Sequence, residues 1–183
     1  MNYEIKRLGK NISDDYVNQL VRIHKVCFPD DATNDEDRET IFKSWNNPPI
    51  MNYWAAKDEN ELVGYVRWVE HGGIRPDAVI ELEQVGIDPQ YQEKGVATRL
   101  IDTSLLELSR ELGTGNRKIK LVYVSTGNDN FAQGLYRKTL GAKVRGKIPG
   151  FYEDSKINAD EVIMTAPRDK INEARKKSGL ELV

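Results

Sequence analysis

A mixed α/β sheet flanked by helices, in the order β-α-α-β-β-β-α-β-α-β-β, is the fold class this sequence predicts. Three observations predict it. Short apolar segments alternate with period two, longer ones repeat with period 3.6, and one strand-helix-strand crossover in the middle of the chain is signalled at each junction.

YEIKRL, residues 3 to 8, alternates enough for a first strand. Ser13 offers an N-cap, with Asp14 and Asp15 favourably placed in the first turn of a helix. Tyr16, Leu20, Ile23 and Cys27 recur at helical spacing, so that helix runs to about Phe28 and stops at Pro29. The acidic run DDATNDEDRE leads to a second, short helix carrying Ile41, Phe42 and Trp45, ended by Pro48-Pro49. MNYWAAK and ELVGYVRWVE read as a hairpin around Asp58-Glu59-Asn60. After a Gly-rich turn from His71 to Pro76, AVIELEQVGI is a further strand. A long helix follows, with Val96, Leu100, Leu105, Leu108 and Leu112 as its apolar stripe and Gly113 as its cap. KIKLVYV is a strand, and NFAQGLYRKTL a shorter helix closed by Gly141. AKVRGKI and DEVIMTA form a closing pair of strands. One domain is expected over residues 1–167, with 168–183 a polar helix or tail.

The bulk properties narrow the function. The chain has 183 residues, 39% hydrophobic and 31% charged, enough for a core of ordinary globular kind. A net charge of -2 speaks against a protein built to neutralise nucleic-acid phosphates, so no nucleic-acid partner is expected. Cys27 is the one cysteine, which rules out an internal disulfide and a Cys-based metal cage. Neither His24 nor His71 has a partner at metal-ligand spacing, and no metal is expected; His24 falls on the apolar stripe and His71 in a turn. The N-terminus lacks a signal-peptide core and no apolar run approaches a membrane span, so a cytoplasmic protein without a membrane partner is expected.

The chemistry concentrates at QEKGVA, residues 92 to 97, where a strand hands over to a helix. A helix N-terminus presents N–H groups without intrahelical acceptors and the positive end of the dipole. Gly95 and Ala97 let a phosphate approach that backbone, while Gln92 and Lys94 add a donor and a charge. Small residues there also suit tight helix-sheet packing, the competing reading. Neither a G-x-x-x-x-G-K-[ST] loop nor a three-glycine dinucleotide fingerprint is present.

VGIDPQYQEKGVATRLID resembles the acyl-CoA-binding signature of the GNAT superfamily of N-acyltransferases, [QR]-x-x-G-x-[GA] at the opening of a helix. Downstream, NDNFAQGLYRKTLGAKV resembles that family's N-x-x-A-x-x-L-Y-x-x-x-G-[FA] helix. Together the likenesses cover about residues 78 to 145. The resemblance implies a mixed, mostly antiparallel sheet whose central strands splay apart, and an N-acetyltransferase that uses acetyl-CoA as donor. It implies that backbone groups of Val85, Gly86 and Ile87 pair with the pantetheine arm and steady the oxyanion. It likewise implies that the N–H groups of Gln92, Glu93, Lys94, Gly95, Val96, Ala97 and Thr98 hold the pyrophosphate. Tyr136 matches the tyrosine that protonates the leaving thiolate; packing under the sheet is the other reading of that residue. The family asparagine is Asp129 here, leaving Asn128 or Asn130 to make the cofactor contact.

An attacking amine must lose a proton, so a carboxylate base is needed. Glu81 and Glu83 share one strand face by alternation, and Glu81 stands eleven residues before Gln92, where some members of the family carry the base. Alternating glutamates also describe a solvated face. The residue on the next strand that serves other relatives is the apolar Val124. For the acceptor, Asp30, Asp31, Asp35, Glu36, Asp37 and Glu39 suggest either attraction of a cationic amine or a solvated loop. PGFYEDSKINADEVIM, with Phe151-Tyr152, is similar to the closing hairpin of peptide N-terminal acetyltransferases. Trp45, Trp54 and Trp68 fit either an acceptor cleft or the core. The expected function is direct acetyl transfer to a primary amine of a small molecule or peptide in a ternary complex. The alternative is an acyl-CoA-binding module without turnover. The sequence leaves a homodimer open.

Overall fold

The computed structural model describes residues 3–29, 34–45, 50–72, 75–151 and 160–177, apart from the side chains of Ile41, Ser44, Trp45, Arg168 and residues 174–177. Expectations resting on Asp30, Asp31, Pro48-Pro49, Tyr152 and the side chains of Ile41 and Trp45 lie outside the described residues.

The elements are β1 (Glu4–Arg7), α1 (Asp14–Cys27), α2 (Asp35–Trp45), β2 (Met51–Asp58), β3 (Glu61–His71), β4 (Asp77–Ile87), a 3-10 turn (Pro89–Tyr91), α3 (Val96–Thr114), β5 (Lys118–Gly127), α4 (Gln133–Leu140), β6 (Lys143–Ile148), β7 (Glu161–Thr165) and α5 (Arg168–Lys177). They follow the predicted order, with the 3-10 turn added and α5 lying in the stretch read as a polar helix or tail. One seven-stranded sheet runs β1-β2-β3-β4-β5-β7-β6. β1–β2, β2–β3, β5–β7 and β6–β7 pair antiparallel and β4–β5 parallel. Two compact units divide the chain, one of residues 1–69 and 84–104, the other of 70–83 and 105–183. No helix among the described residues is long and apolar enough to cross a membrane.

In the first unit, Ser13 caps α1 as expected, its hydroxyl accepting from the Tyr16 N–H at 3.3 Å. The buried face of α1 is Val17, Leu20, Val21 and His24, at i, i+3, i+4 and i+7, with Ile23 beside it. The expected stripe was thus rotated. Tyr16 sits at its margin, where the ammonium groups of Lys6 and Lys57 lie 5.7 and 5.9 Å from its ring centroid. A polar-tipped ring suits that boundary better than the core. Phe42 of α2 packs against Tyr53, Tyr65 and His24, with ring centroids 5.5, 5.5 and 5.6 Å away. Trp54 and Trp68 are wholly buried, so both are core residues, not cleft walls. Trp68 donates its indole N–H to Ser104 Oγ of α3 at 2.7 Å, and that hydroxyl donates to the Leu100 carbonyl at 2.6 Å.

The second unit centres on β5. Its parallel ladder with β4 runs from Asp77↔Lys118 to Glu81↔Tyr123 and ends there. Its antiparallel ladder with β7 begins at Tyr123↔Thr165 and continues to Gly127↔Glu161. From Val124 onward β5 keeps only β7 among the described pairings of this unit. Gly141, at φ 62°, closes α4 as expected. Gly113 does not close α3: the helix runs through it to Thr114, and the chain reverses at Asn116, φ 56°, with the Arg117 N–H on the Leu112 carbonyl at 2.9 Å. Asparagine enters the left-handed region more readily than other side-chain-bearing residues, so it can do a cap glycine's work. Arg117 holds both carboxylate oxygens of the nearly buried Glu70 and also donates to the Arg75 carbonyl.

Candidate active site

The turn that opens α3 is braced from below. Asp88, buried at the end of β4, caps the 3-10 turn by accepting from the Gln90 N–H at 3.0 Å. Its other oxygen takes Arg22 Nη1 at 2.7 Å, and Arg22 Nη2 reaches the Leu62 carbonyl at 3.2 Å. Gln92 turns inward, donating to the Ile87 carbonyl at 3.1 Å. One hydrogen of the side-chain donor expected for a phosphate is therefore spent on holding the turn. The Cys27 thiol donates to the same carbonyl at 3.3 Å, and burial pushes its pKa up, which fits a packed thiol and not a nucleophile.

Glu93 and Gly95 both take positive φ, 60° and 81°, and then α3 begins. A Cβ placed on Gly95 would find nothing within 4 Å. The glycine is there for its backbone conformation, and the space over it is open. Tight helix-sheet packing, the competing reading, does not describe this position. Gln92, Glu93, Lys94 and Gly95 are exposed, Ala97 and Thr98 half-buried, and Val96 buried as the anchor of the helix. The first turn of α3 carries no acidic residue to oppose an anion at the positive end of its dipole, while the exposed Glu93 stands in the turn just ahead of it. Lys94 lies with its ammonium 5.2 Å from the Tyr91 ring centroid.

On β4, Val85 is half-buried and Gly86 and Ile87 are buried. A Cβ on Gly86 would stand 2.8 Å from Tyr65 Cε1, so this glycine answers to the close approach of an aromatic ring. Tyr65 in turn donates its hydroxyl to Gln84 Oε1 at 2.9 Å.

The predicted alternation on β4 holds: Ile80 and Leu82 are buried, and Glu81 and Glu83 are half-buried on the other face. Glu81 is not a solvated surface acid. Its Oε2 accepts from the Tyr123 hydroxyl at 2.9 Å and lies 2.7 Å from His71 Nε2, while its Oε1 is 3.3 Å from the Ser125 hydroxyl. His71 Nε2 is also 3.1 Å from the Tyr123 oxygen. Burial, the hydrogen bond to Glu81, and the negative charges of Glu81, Glu161 and Glu83 together push the Tyr123 phenol well above its usual range. That hydroxyl therefore stays protonated and donating. The sequence did not point to His71 or Tyr123; only pairing of β4 with β5 and the end of β3 bring them to Glu81.

Tyr136 is nearly buried within α4, and burial pushes its pKa up to about 12. Phe131, within the segment predicted as this helix, precedes α4 and is 90% exposed. Asn130 is committed locally, its side-chain oxygen accepting from the Ala132 N–H at 2.8 Å ahead of α4. Asn128 is exposed; its N–H donates to the Asp160 carbonyl at 2.8 Å and its carbonyl accepts from Gln133 Nε2 at 2.9 Å. No group of His, Cys, Asp and Glu that could hold a metal occurs among the described residues.

Residues 17–142 match the acetyltransferase (GNAT) family. The chain belongs to the GNAT family. A GNAT relative similar in sequence is the N-alpha-acetyltransferase RimI of Mycobacterium tuberculosis (strain ATCC 25618 / H37Rv), 28% identical over 111 residues. That match takes in 61% of this chain and 64% of the relative, just under two thirds of its length. Among solved GNAT folds, the ribosomal-protein-S18-alanine N-acetyltransferase from Escherichia coli superposes with a TM-score of 0.66 at 14% identity, covering 91% of this chain and 94% of its own. An aminoglycoside 6'-N-acetyltransferase complexed with coenzyme A superposes with a TM-score of 0.66 at 17% identity, covering 88% and 95%. At these identities the structures speak for the fold alone.

Proposed function

We propose that this GNAT chain is an N-acetyltransferase that passes the acetyl group of acetyl-CoA directly to a primary amine, in a ternary complex and without an acyl-enzyme. The observation that carries the reading is the left-handed Gly95 turn, open above, at the start of a helix α3 whose first turn carries no acid. Backbone N–H groups of the turn and of the first helical residues, from Gln92 to Thr98, bind the pyrophosphate, and Lys94 adds charge. Backbone groups of Val85, Gly86 and Ile87 align the pantetheine arm and steady the oxyanion.

Glu81 takes a proton from the ammonium of the acceptor, the neutral amine attacks the thioester carbonyl, and the carbon–sulfur bond of the tetrahedral adduct then breaks. Glu83, two residues along the same strand face, serves as a secondary carboxylate. Tyr136 donates a hydrogen bond to the nascent thiolate. With its pKa near 12 against about 8.5 for an ordinary thiol, full proton transfer from the phenol would be uphill by about 5 kcal/mol. The phenol therefore stabilises the leaving sulfur, and the proton lost by the attacking nitrogen neutralises it. Asn128, exposed ahead of α4, is the better placed of the two asparagines for a cofactor contact, because the Asn130 side chain already caps its own turn.

The RimI likeness favours a peptide α-amine as acceptor over a polyamine or an aminoglycoside. A panel of peptides, polyamines and aminoglycosides, read by thiol release, tests both activity and acceptor class. Turnover with peptides is expected; cofactor binding without turnover on any amine would instead support a non-catalytic module. Tyr136→Phe should lower kcat about tenfold or more while leaving acetyl-CoA affinity near the parent value. An unchanged kcat would remove Tyr136 from the reaction.

A further inference from the structure

Glu81 is solvated unequally by its neighbours. Two strong donors converge on Oε2: the Tyr123 hydroxyl at 2.9 Å and His71 Nε2 at 2.7 Å. Since a carboxylate only accepts, the Nε2 hydrogen points at Glu81, and the Tyr123 oxygen 3.1 Å away shares it. Among the described residues Oε1 has only the Ser125 hydroxyl, at a long 3.3 Å. The carboxylate is itself mostly buried, with 13% of its side chain exposed, while His71 is 46% exposed at the end of β3. A glutamate side chain has several rotamers to choose from, and a base must be held close to one geometry to work.

We propose that His71 is a positioning residue for the base: with Tyr123 it saturates Oε2, fixes the rotamer of Glu81, and leaves Oε1 as the oxygen that meets the acceptor's proton. The proposal rests on Glu81 being the base, and goes beyond it in assigning the two oxygens different tasks. It also ranks the neighbours. His71 and Tyr123 matter to the reaction; Ser125, on the working oxygen at a weak distance, matters little. An ordinary surface ion pair would show no such ranking, because exposed pairs contribute little and their loss leaves turnover alone.

The test uses the full chain and the best acceptor from the amine panel, with four variants: His71→Ala, His71→Gln, Ser125→Ala and Glu81→Gln. His71→Ala should lower kcat about tenfold with the KM for acetyl-CoA within about twofold, since a misplaced base harms the chemical step and not donor binding. His71→Gln, whose amide N–H can replace the Nε2 donor, should recover most of the loss, and Ser125→Ala should stay near the parent. Circular dichroism and thermal midpoints check that the fold is kept. If His71→Ala turns over like the parent, or if the glutamine variant is as slow as the alanine one, the proposal is overturned. Glu81→Gln separates the two levels. Full activity in that variant would remove the base itself, whereas a dead Glu81→Gln beside a fully active His71→Ala would overturn only the role of His71.

Discussion

Ser104 shows how one hydroxyl can set the register of a helix on a sheet within the first unit. It accepts the indole N–H of Trp68 and donates to the Leu100 carbonyl, and both it and Trp68 are wholly buried. Ser104→Ala would strand a buried indole N–H, and the expected cost is about 1–3 kcal/mol, read as a lower urea midpoint with an unchanged m-value. A midpoint within error of the parent would mean that the indole finds another acceptor. Side chains of this kind were invisible in the sequence: a serine in an apolar helix stripe has no period to betray it. Gly95 was different. A glycine in the first turn of a helix, where better helix formers were available, already pointed to a backbone need, and its φ of 81° is that need.

At the scale of elements, alternation and capping carried the reading. Ser13, the Asp58-Glu59-Asn60 turn, Gly141 and the two faces of β4 came from short-range rules and stand in the structure where those rules put them. The misplaced stripe on α1 and the misplaced end of α3 are also short-range failures. In the first, a tyrosine counted as apolar chose the boundary; in the second, an asparagine took the left-handed position beyond a glycine that stays helical. The β6–β7 pairing carries a prediction of its own. Lys147 forms an ion pair with Asp160, and the Gly150 N–H donates to the same carboxylate at 2.9 Å; together they hold the Asp160 pKa below its usual value. A depressed carboxylate contributes stability above its unfolded pKa, and that contribution is lost as pH falls through the folded value. Amide protection in β6 and β7, corrected for intrinsic exchange, should therefore weaken on acidification more than in Asp160→Asn, which has no proton to gain. Equal acid sensitivity in the two proteins would show that other carboxylates govern these strands.

For the whole molecule, the order of elements along the chain and the family came from pattern and motif, but the surroundings of the proposed base did not. His71 ends β3 while Tyr123 and Ser125 both lie on β5, and it takes the long-range ladder between β4 and β5 together with the end of β3 to bring them to Glu81. A global consequence follows from Tyr136. Its folded pKa, near 12, lies above the ordinary 10, so the neutral phenol is the form the fold favours. Its contribution is complete below about pH 10 and is lost between about 10 and 12, and two units correspond to about 3 kcal/mol. Denaturant midpoints should fall over that interval, and Tyr136→Phe should flatten the fall. A fall of the same size in the phenylalanine variant would assign it to other groups.

The claim on which the rest stands is that the Gly95 turn and the start of α3 bind the diphosphate of coenzyme A. Calorimetric titration of the parent and of Gly95→Asn with coenzyme A tests it most directly, because asparagine tolerates the left-handed backbone while placing a side chain in the open space above it. The account predicts one-site binding by the parent and at least about a tenfold loss in the variant at similar thermal stability. No heat of binding in the parent, or equal affinity in both proteins, would contradict it.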